Sequence, residues 1–241
     1  FSLGLALLLS SIVPRALGPE RYGDFGFLQS SFATLLGIIT AGSAQAFFTF
    51  NSKEKDSYPI VLIYSIFIFI VSALVLLIIA LASKLGLVHL IWPGQTIIYI
   101  YMASIFSILF WVVEIYQGFM DSKGLTIINE KIKILIKIFS VVLIFYLFVF
   151  NKLNLKSFYI YQYLTLLAFI IALSIIIYSK NALSKSELSN KSIKKITNYF
   201  INFCRPLFFY GLFGFLVSFF YRWLLQFSSG SAEQGNFTFA T

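Results

Sequence analysis

The sequence predicts an all-α, polytopic membrane protein. Of its 241 residues 59% are hydrophobic and only 11% are charged. Several apolar runs also reach the roughly 20 residues that a helix needs to cross a bilayer core. A soluble domain of this size cannot bury so much apolar surface. Because backbone groups in lipid must be satisfied within each segment, the spanning elements are predicted to be helices.

Six of the apolar runs form a predicted first transmembrane bundle over residues 1–178. Its helices are predicted at residues 1–16, 25–50, 60–82, 96–120, 132–150 and 158–178. Residues 206–241 are predicted to start a second bundle, with a helix at 206–227 and the next helix beginning at 235. The chain opens inside an apolar run and closes just after another begins, so we expect it to be a fragment of a longer protein.

Residues 179–205 form the longest polar stretch and are predicted to be a cytoplasmic linker. Within it, Ile193, Ile196, Phe200 and Phe203 recur at helical spacing. This pattern favours an amphipathic helix at the membrane surface, and the alternative is a plain solvated linker.

Lysine and arginine are more frequent in the loops after the second, fourth and sixth helices than in the other loops. The positive-inside rule therefore predicts a multi-pass protein with a cytoplasmic N-terminus. The net charge of +9 is distributed as a topology signal, so we expect no nucleic acid partner. One cysteine, Cys204, and one histidine, His89, exclude a disulfide framework and a Cys/His metal cluster. We expect neither a metal nor a cofactor.

The stretch "PRALGPERYG" interrupts the first apolar segment and is predicted to be a hairpin corner facing outward. Pro14 suits the bent end of the first helix, and Gly18 with Pro19 suits a tight turn. Glu20 fits the first turn of the second helix, where the helix dipole favours an anion. Gly23 is expected to complete the turn.

A weaker copy of this segment returns near the C-terminus. "RALGPERYGDFGF" and "RWLLQFSSGSAEQGNFTF" both have an arginine near a helix end, a glycine-containing turn and a glycine before an aromatic pair, at Gly23 and Gly235. Six predicted helices separate the copies. An even number means that both copies enter the membrane in the same direction, as in a transporter built from two parallel bundles.

The first motif resembles the first hairpin of Wzx-type polysaccharide flippases, which belong to the multidrug/oligosaccharidyl-lipid/polysaccharide exporter superfamily. Residues 15–23 fit the pattern Arg-x-Leu-Gly-Pro-Glu-x-Tyr-Gly throughout. "TAGSAQAFFTF" is similar to the glycine-containing segment late in the family's second helix. Phe50 and Asn51 stand where the family often has an arginine.

The resemblance implies a flippase that moves a polyprenyl-diphosphate-linked oligosaccharide to the outer leaflet of a bacterial inner membrane. It implies alternating access coupled to a proton or sodium gradient, as a step in the biosynthesis of surface polysaccharides such as O-antigen. The implied partners are the lipid-linked oligosaccharide, membrane lipids, the coupling ion and other polysaccharide-assembly proteins.

Arg15 and Arg222 are the predicted diphosphate-binding residues. Each lies near the outer end of a helix, at places that we expect to correspond in the two halves. A guanidinium presents several donors in a rigid fork that suits phosphate. The alternative is that both side chains only reach toward lipid headgroups.

Four further polar residues within predicted helices are candidates for a polar cavity or a coupling site: Glu114, Gln117, Lys137 and Gln45. A carboxylate in lipid usually faces a cavity or a partner. Glu114 is therefore expected to carry a coupling proton or to pair with a lysine such as Lys137.

Three other classes of function remain open. A drug or cation exporter of the same superfamily would favour buried carboxylates, whereas basic residues predominate here. A membrane enzyme of polysaccharide assembly needs acid/base or metal-binding residues gathered in one loop, and no such cluster is evident, so we do not expect an enzyme. A passive scaffold leaves the polar second helix unexplained.

Overall fold

The computed structural model of the chain describes residues 2–53, 57–150, 152–180 and 190–240. These residues form eight helices: α1 Ser2–Thr40, α2 Ser43–Lys53, α3 Tyr58–Lys84, α4 Val88–Ile91, α5 Ile97–Ser122, α6 Thr126–Val149, α7 Leu155–Ser179 and α8 Asn190–Ala240. Within the described part, five helices are long and apolar enough to cross a bilayer, or six if a bent pair at α1 and α2 is one span. The prediction of an all-α, multi-pass membrane protein is confirmed.

Helix α8 folds back on itself at Gly230, whose backbone (φ 79°, ψ −176°) is not helical. The rings of Tyr221 and Phe237 lie 5.1 Å apart between centroids. Sixteen residues of straight helix would separate them by about 24 Å. The chain therefore reverses at Gly230, as a hairpin, and α8 consists of two segments.

Helix α1 has the same backbone break at Gly18 (φ 75°, ψ 166°). Val13 before the break and Phe25 after it line one cavity, so the two segments of α1 also fold toward each other. A positive φ suits glycine because it has no Cβ. The break at Gly18 lies inside the stretch that we interpreted as a hairpin corner.

The second predicted helix, 25–50, differs from the structure at both ends and in the middle. Helical backbone resumes at Pro19, directly after Gly18, and the chain bends by 50° between α1 and α2. Gly42 in this bend has φ 75°, and a Cβ there would lie 3.2 Å from the Cβ of Leu207 on α8. The bend brings α2 against α8.

Helix α6 begins at Thr126, earlier than the predicted start at residue 132. The charges of this segment suggested a loop. In the structure Lys133 and Glu130 form an ion pair of 2.6 Å one turn apart, so the charged residues belong to the first turns of the helix.

The predicted linker helix is continuous with the next transmembrane helix, because α8 runs from Asn190 through Pro206 without a break. Its apolar stripe packs on protein: Ile196 is buried, and Phe200 lies 5.8 Å from the ring of Tyr64 on α3. Residues 181–189 of the predicted linker lie outside the described residues.

The helix ends form two sides. At the basic end, Asn51 donates a hydrogen bond to Ser122, Lys123 Nζ lies 3.4 Å from the Asn51 carbonyl oxygen, and Lys195 lies over the ring of Phe50. At the kink end, the breaks of α1 and α8 meet the loop after α4. Below, "basic end" and "kink end" refer to these two sides.

The core of the first bundle is aromatic. Phe25 of α1 packs against Phe106 of α5 and against Phe158 and Tyr159 of α7, with ring centroids 4.8 to 6.1 Å apart. Such pairs add to the burial of their area and fix the second segment of α1 inside the bundle.

The second segments of α1 and α8 cross at two glycines. A Cβ on Gly23 would overlap the carbonyl oxygen of Ser231 and lie 2.7 Å from the backbone nitrogen of Gly235. A Cβ on Gly235 would overlap the carbonyl oxygen of Pro19 and lie 3.2 Å from the nitrogen of Gly23. The backbones therefore approach as closely as small residues allow.

The crossing is reciprocal. Pairing Gly18 with Gly230 aligns "GPERYGDFGF" with "GSAEQGNFTF" without a gap, so that Pro19 corresponds to Ser231 and Gly23 to Gly235. Gly23 thus contacts Ser231, and its counterpart Gly235 contacts Pro19, which is the counterpart of Ser231. Reciprocal contacts of this kind indicate a local two-fold relation between the two segments.

Replacing Gly23 by alanine should destabilise the protein by about 1–3 kcal/mol, because the new methyl group overlaps backbone that cannot rotate away. Thermal unfolding in detergent measures the effect. Gly37→Ala is the matched control: it lies in the same helix and its Cβ would meet no atom within 4 Å. It should be neutral or stabilising. Equal melting temperatures for the Gly23 and Gly37 variants would contradict the close crossing.

Candidate functional site

An open cavity of about 410 Å³ lies between α1, α5, α6 and α7 of the first bundle. Its polar lining residues are Tyr22, Gln117, Lys133, Lys137, Ser140, Tyr161, Gln162 and Thr165. Gln117 and Lys137 were predicted from the sequence, and the structure brings them to the same cavity.

Lys133 and Lys137 are the charged residues among those that line this cavity, and they lie one turn apart on α6. Lys133 donates a hydrogen bond of 2.6 Å to Glu130. Lys133 was missed as a site residue because it lies at the start of the predicted helix 132–150, beside the charged residues of the preceding loop. Its spacing of four residues from Lys137 could have shown that the two lysines share one face of a helix.

Glu114 does not share the cavity with Lys137. Its neighbours Val113 and Gln117 line the cavity, while the Glu114 side chain is exposed on α5. The ion pair found on α6 within the described residues is Lys133 with Glu130. The expected pairing of Glu114 with Lys137 is therefore wrong. Gln45 is exposed on α2.

Arg222 is half-buried at the crossing. Its guanidinium carbon lies 5.2 Å from the centre of the Phe237 ring, and Nη1 donates a hydrogen bond of 3.3 Å to Thr238 Oγ1. Thr238 in turn packs against Gly26 of α1. The guanidinium is thereby held between the two segments of α8 and beside α1.

Arg15 has a different environment: its side chain is exposed, three residues before Gly18. The glycine register pairs Arg15 with Phe227 and Arg222 with Ser10. The two arginines are therefore not at corresponding places, and this part of the sequence prediction is wrong. The register could not be found from the arginines because their spacing to the following glycine differs.

A polar network joins three segments at the kink end. Asp24 Oδ1 accepts hydrogen bonds of 2.6 Å from Gln95 Nε2 and from Ser231 Oγ. Gln226 Nε2 donates to Ser231 Oγ (2.9 Å) and to the carbonyl oxygen of Pro93 (3.3 Å). Asp24 thus links α1, the loop after α4 and the break of α8. The sequence analysis treated Asp24 only as part of the repeated motif.

The residues of the hairpin motif have separate structural places. Pro14 lies within α1, and Pro19 and Glu20 are exposed where the second segment begins. Gly23 does not belong to the turn, contrary to the prediction. It is buried in helical backbone, where it makes the crossing with Gly235.

The described residues contain no group of three or more histidine, cysteine, aspartate or glutamate side chains placed to hold a metal ion. The two sites provide hydrogen-bond donors and positive charge. The crossing has the half-buried guanidinium of Arg222, and the bundle cavity has two lysines and two glutamines. Both arrangements suit an anion.

Comparison of the chain with protein-family models, with curated proteins and with solved structures finds no match. The resemblance to polysaccharide flippases therefore stays a prediction from residues 15–23 and the repeated segment.

Asp24→Ala should loosen the kink end, because Gln95 and Ser231 lose a charged acceptor. Loss of such bonds costs about 1–3 kcal/mol locally. Hydrogen–deuterium exchange should become faster at the amides of Gly94 and Gln95 and of residues 230–232. Asp24→Asn keeps an acceptor oxygen and should have a smaller effect, and Glu20→Ala removes an exposed acid from the same segment as a control. Unchanged exchange in Asp24→Ala would contradict a linking role.

Proposed function

We propose that this protein is a flippase that moves a polyprenyl-diphosphate-linked oligosaccharide from the cytoplasmic to the outer leaflet of a bacterial inner membrane. The observation that carries the proposal is the reciprocal crossing of α1 and α8 at Gly23 and Gly235. It supports an architecture of two related bundles, and transporters of that design place the substrate between the bundles.

The crossing lies at the kink end, and the same face of α1 continues away from it. Gly26 on this face contacts Thr238, whereas Ala33 and Gly37, farther toward the basic end, are exposed. The face is lined by small residues. Small residues on such a face allow a second helix to pack closely against it.

The proposed substrate head carries a diphosphate, which loses its water shell on entering a membrane cavity. Fixed cations with hydrogen-bond donors can replace that shell. Arg222 is the better candidate of the two arginines because its side chain is held by Phe237 and Thr238. Arg15 is exposed, and a contact with a lipid headgroup explains its position as well as a contact with the substrate does.

Coupling to a proton or sodium gradient is part of the proposal. Glu114 is the candidate carrier, because it is an acidic residue well inside a membrane-spanning helix. Such residues usually serve an ion pathway or a partner.

Arg222→Ala should slow the transfer of a labelled polyprenyl-diphosphate oligosaccharide across proteoliposomes by roughly tenfold or more, because one desolvated charge contact is lost. Arg222→Lys should restore part of the rate, since the charge stays and the fork is lost. Arg21→Ala, an exposed arginine of the same end, is the control and should transport normally.

Each outcome has a distinct meaning. Wild-type transfer that all three variants preserve would keep the proposed function and remove Arg222 from the site. Absence of transfer by the wild type, together with export of cationic dyes, would replace the flippase by a multidrug exporter.

A further inference from the structure

The bundle cavity has a charged part and an apolar part. Gln117, Lys133 and Lys137 line it on the side of the basic end. No aspartate or glutamate is among the described residues that line it. The lining therefore includes two lysines and no carboxylate, and Glu130, which pairs with Lys133 at 2.6 Å, is not part of it.

Lys133 and Lys137 lie in the half of α6 that is nearer the basic end. Lys133 and Lys137 lie seven and eleven residues after the start of α6, about 10 and 16 Å along the helix. Side chains on a helix point toward its N-terminus, so both ammonium groups are directed back to the basic end. Gln117 lies five residues, about 8 Å, from the end of α5 on the same side.

The part of the cavity nearer the kink end is lined mainly by apolar side chains, with Tyr22, Tyr161 and Gln162 among them. Ile144 of α6, Phe158 of α7, and Val13 and Phe25 of α1 contribute to this wall. Lysines at one level and a mainly apolar wall farther from the basic end match an amphiphile with an anionic head and an apolar tail.

The volume of the cavity indicates how much of such an amphiphile it can hold. A volume of about 410 Å³ is near the lower end of ordinary ligand pockets. It accommodates a phosphate headgroup with the beginning of an acyl chain. Basic pockets between transmembrane helices on the cytoplasmic side are a recurrent form of anionic lipid recognition.

We propose that this cavity binds an anionic phospholipid, with its phosphate at Lys133, Lys137 and Gln117 and an acyl chain along Ile144 and Phe158. Lys137 supplies the main contact, because Lys133 already pairs with Glu130 at 2.6 Å. Gln117 adds amide donors. The inference goes beyond the proposed transport function and does not depend on it, since the site lies within one bundle.

Native mass spectrometry of the purified protein tests the site. The protein in neutral detergent is titrated with phosphatidylglycerol or with phosphatidylcholine, and retained lipid is counted. The wild type should retain phosphatidylglycerol in preference. The double variant Lys133→Gln/Lys137→Gln should bind it at least about tenfold more weakly, because both charge contacts are removed. Lys133→Arg/Lys137→Arg should keep the binding.

The matched control is Lys53→Gln/Lys131→Gln, which removes two exposed lysines near the basic end that do not line the cavity. It should leave the binding unchanged. An equal loss in the control would show a diffuse surface attraction and overturn the site.

Two results on the wild type overturn the proposal whatever the variants do. One is equal retention of the two lipids. The other is displacement of phosphatidylglycerol by inorganic phosphate at matched concentration, which would make the cavity a free-anion site. Failure of inorganic phosphate to compete supports a lipid with its tail in the cavity.

Discussion

The backbone contact between Gly23 and Gly235 is the constraint on which the other contacts between α1 and α8 depend. Any larger side chain at either position would overlap a carbonyl oxygen of the opposing segment. Because the hydrophobic effect does not drive helix association in lipid, close van der Waals packing must hold the helices together. The glycines allow that packing, and it brings Thr238 onto Gly26 and Ser231 within reach of Asp24.

The polar contacts at the kink end follow from this approach. Asp24 can accept the bond from Ser231 only while the two segments cross, and Arg222 is held by Thr238 beside the same crossing. Charged and amide groups in a membrane are costly unless they are paired. The network therefore fixes the register of the two segments, while the small residues allow their backbones to approach closely.

The helices could be predicted from the sequence because a bilayer demands long apolar runs, and α3, α5 and α7 agree closely with the predicted spans. The start of α6 was missed because the Lys133–Glu130 pair makes charged residues compatible with a helix. Gln117 and Lys137 were found because polar residues in apolar runs are conspicuous. The network at Asp24 could not be found, since it depends on the distance between segments far apart in sequence. The equivalence of Gly18 with Gly230 could have been found, because it follows from the same ungapped alignment that pairs Gly23 with Gly235.

Cysteine cross-linking of Gly26→Cys with Thr238→Cys, in a Cys204→Ser background, tests the crossing most directly. A Cβ at residue 26 would lie 3.0 Å from the Cβ of Thr238, close enough for a disulfide after a small adjustment. Mild oxidation should link the two positions within one chain, as detected by mass spectrometry of the joined peptides. Ala33→Cys with Thr238→Cys, two turns farther along α1, should not cross-link. Absence of the first link, or equal yields for both pairs, would contradict the crossing.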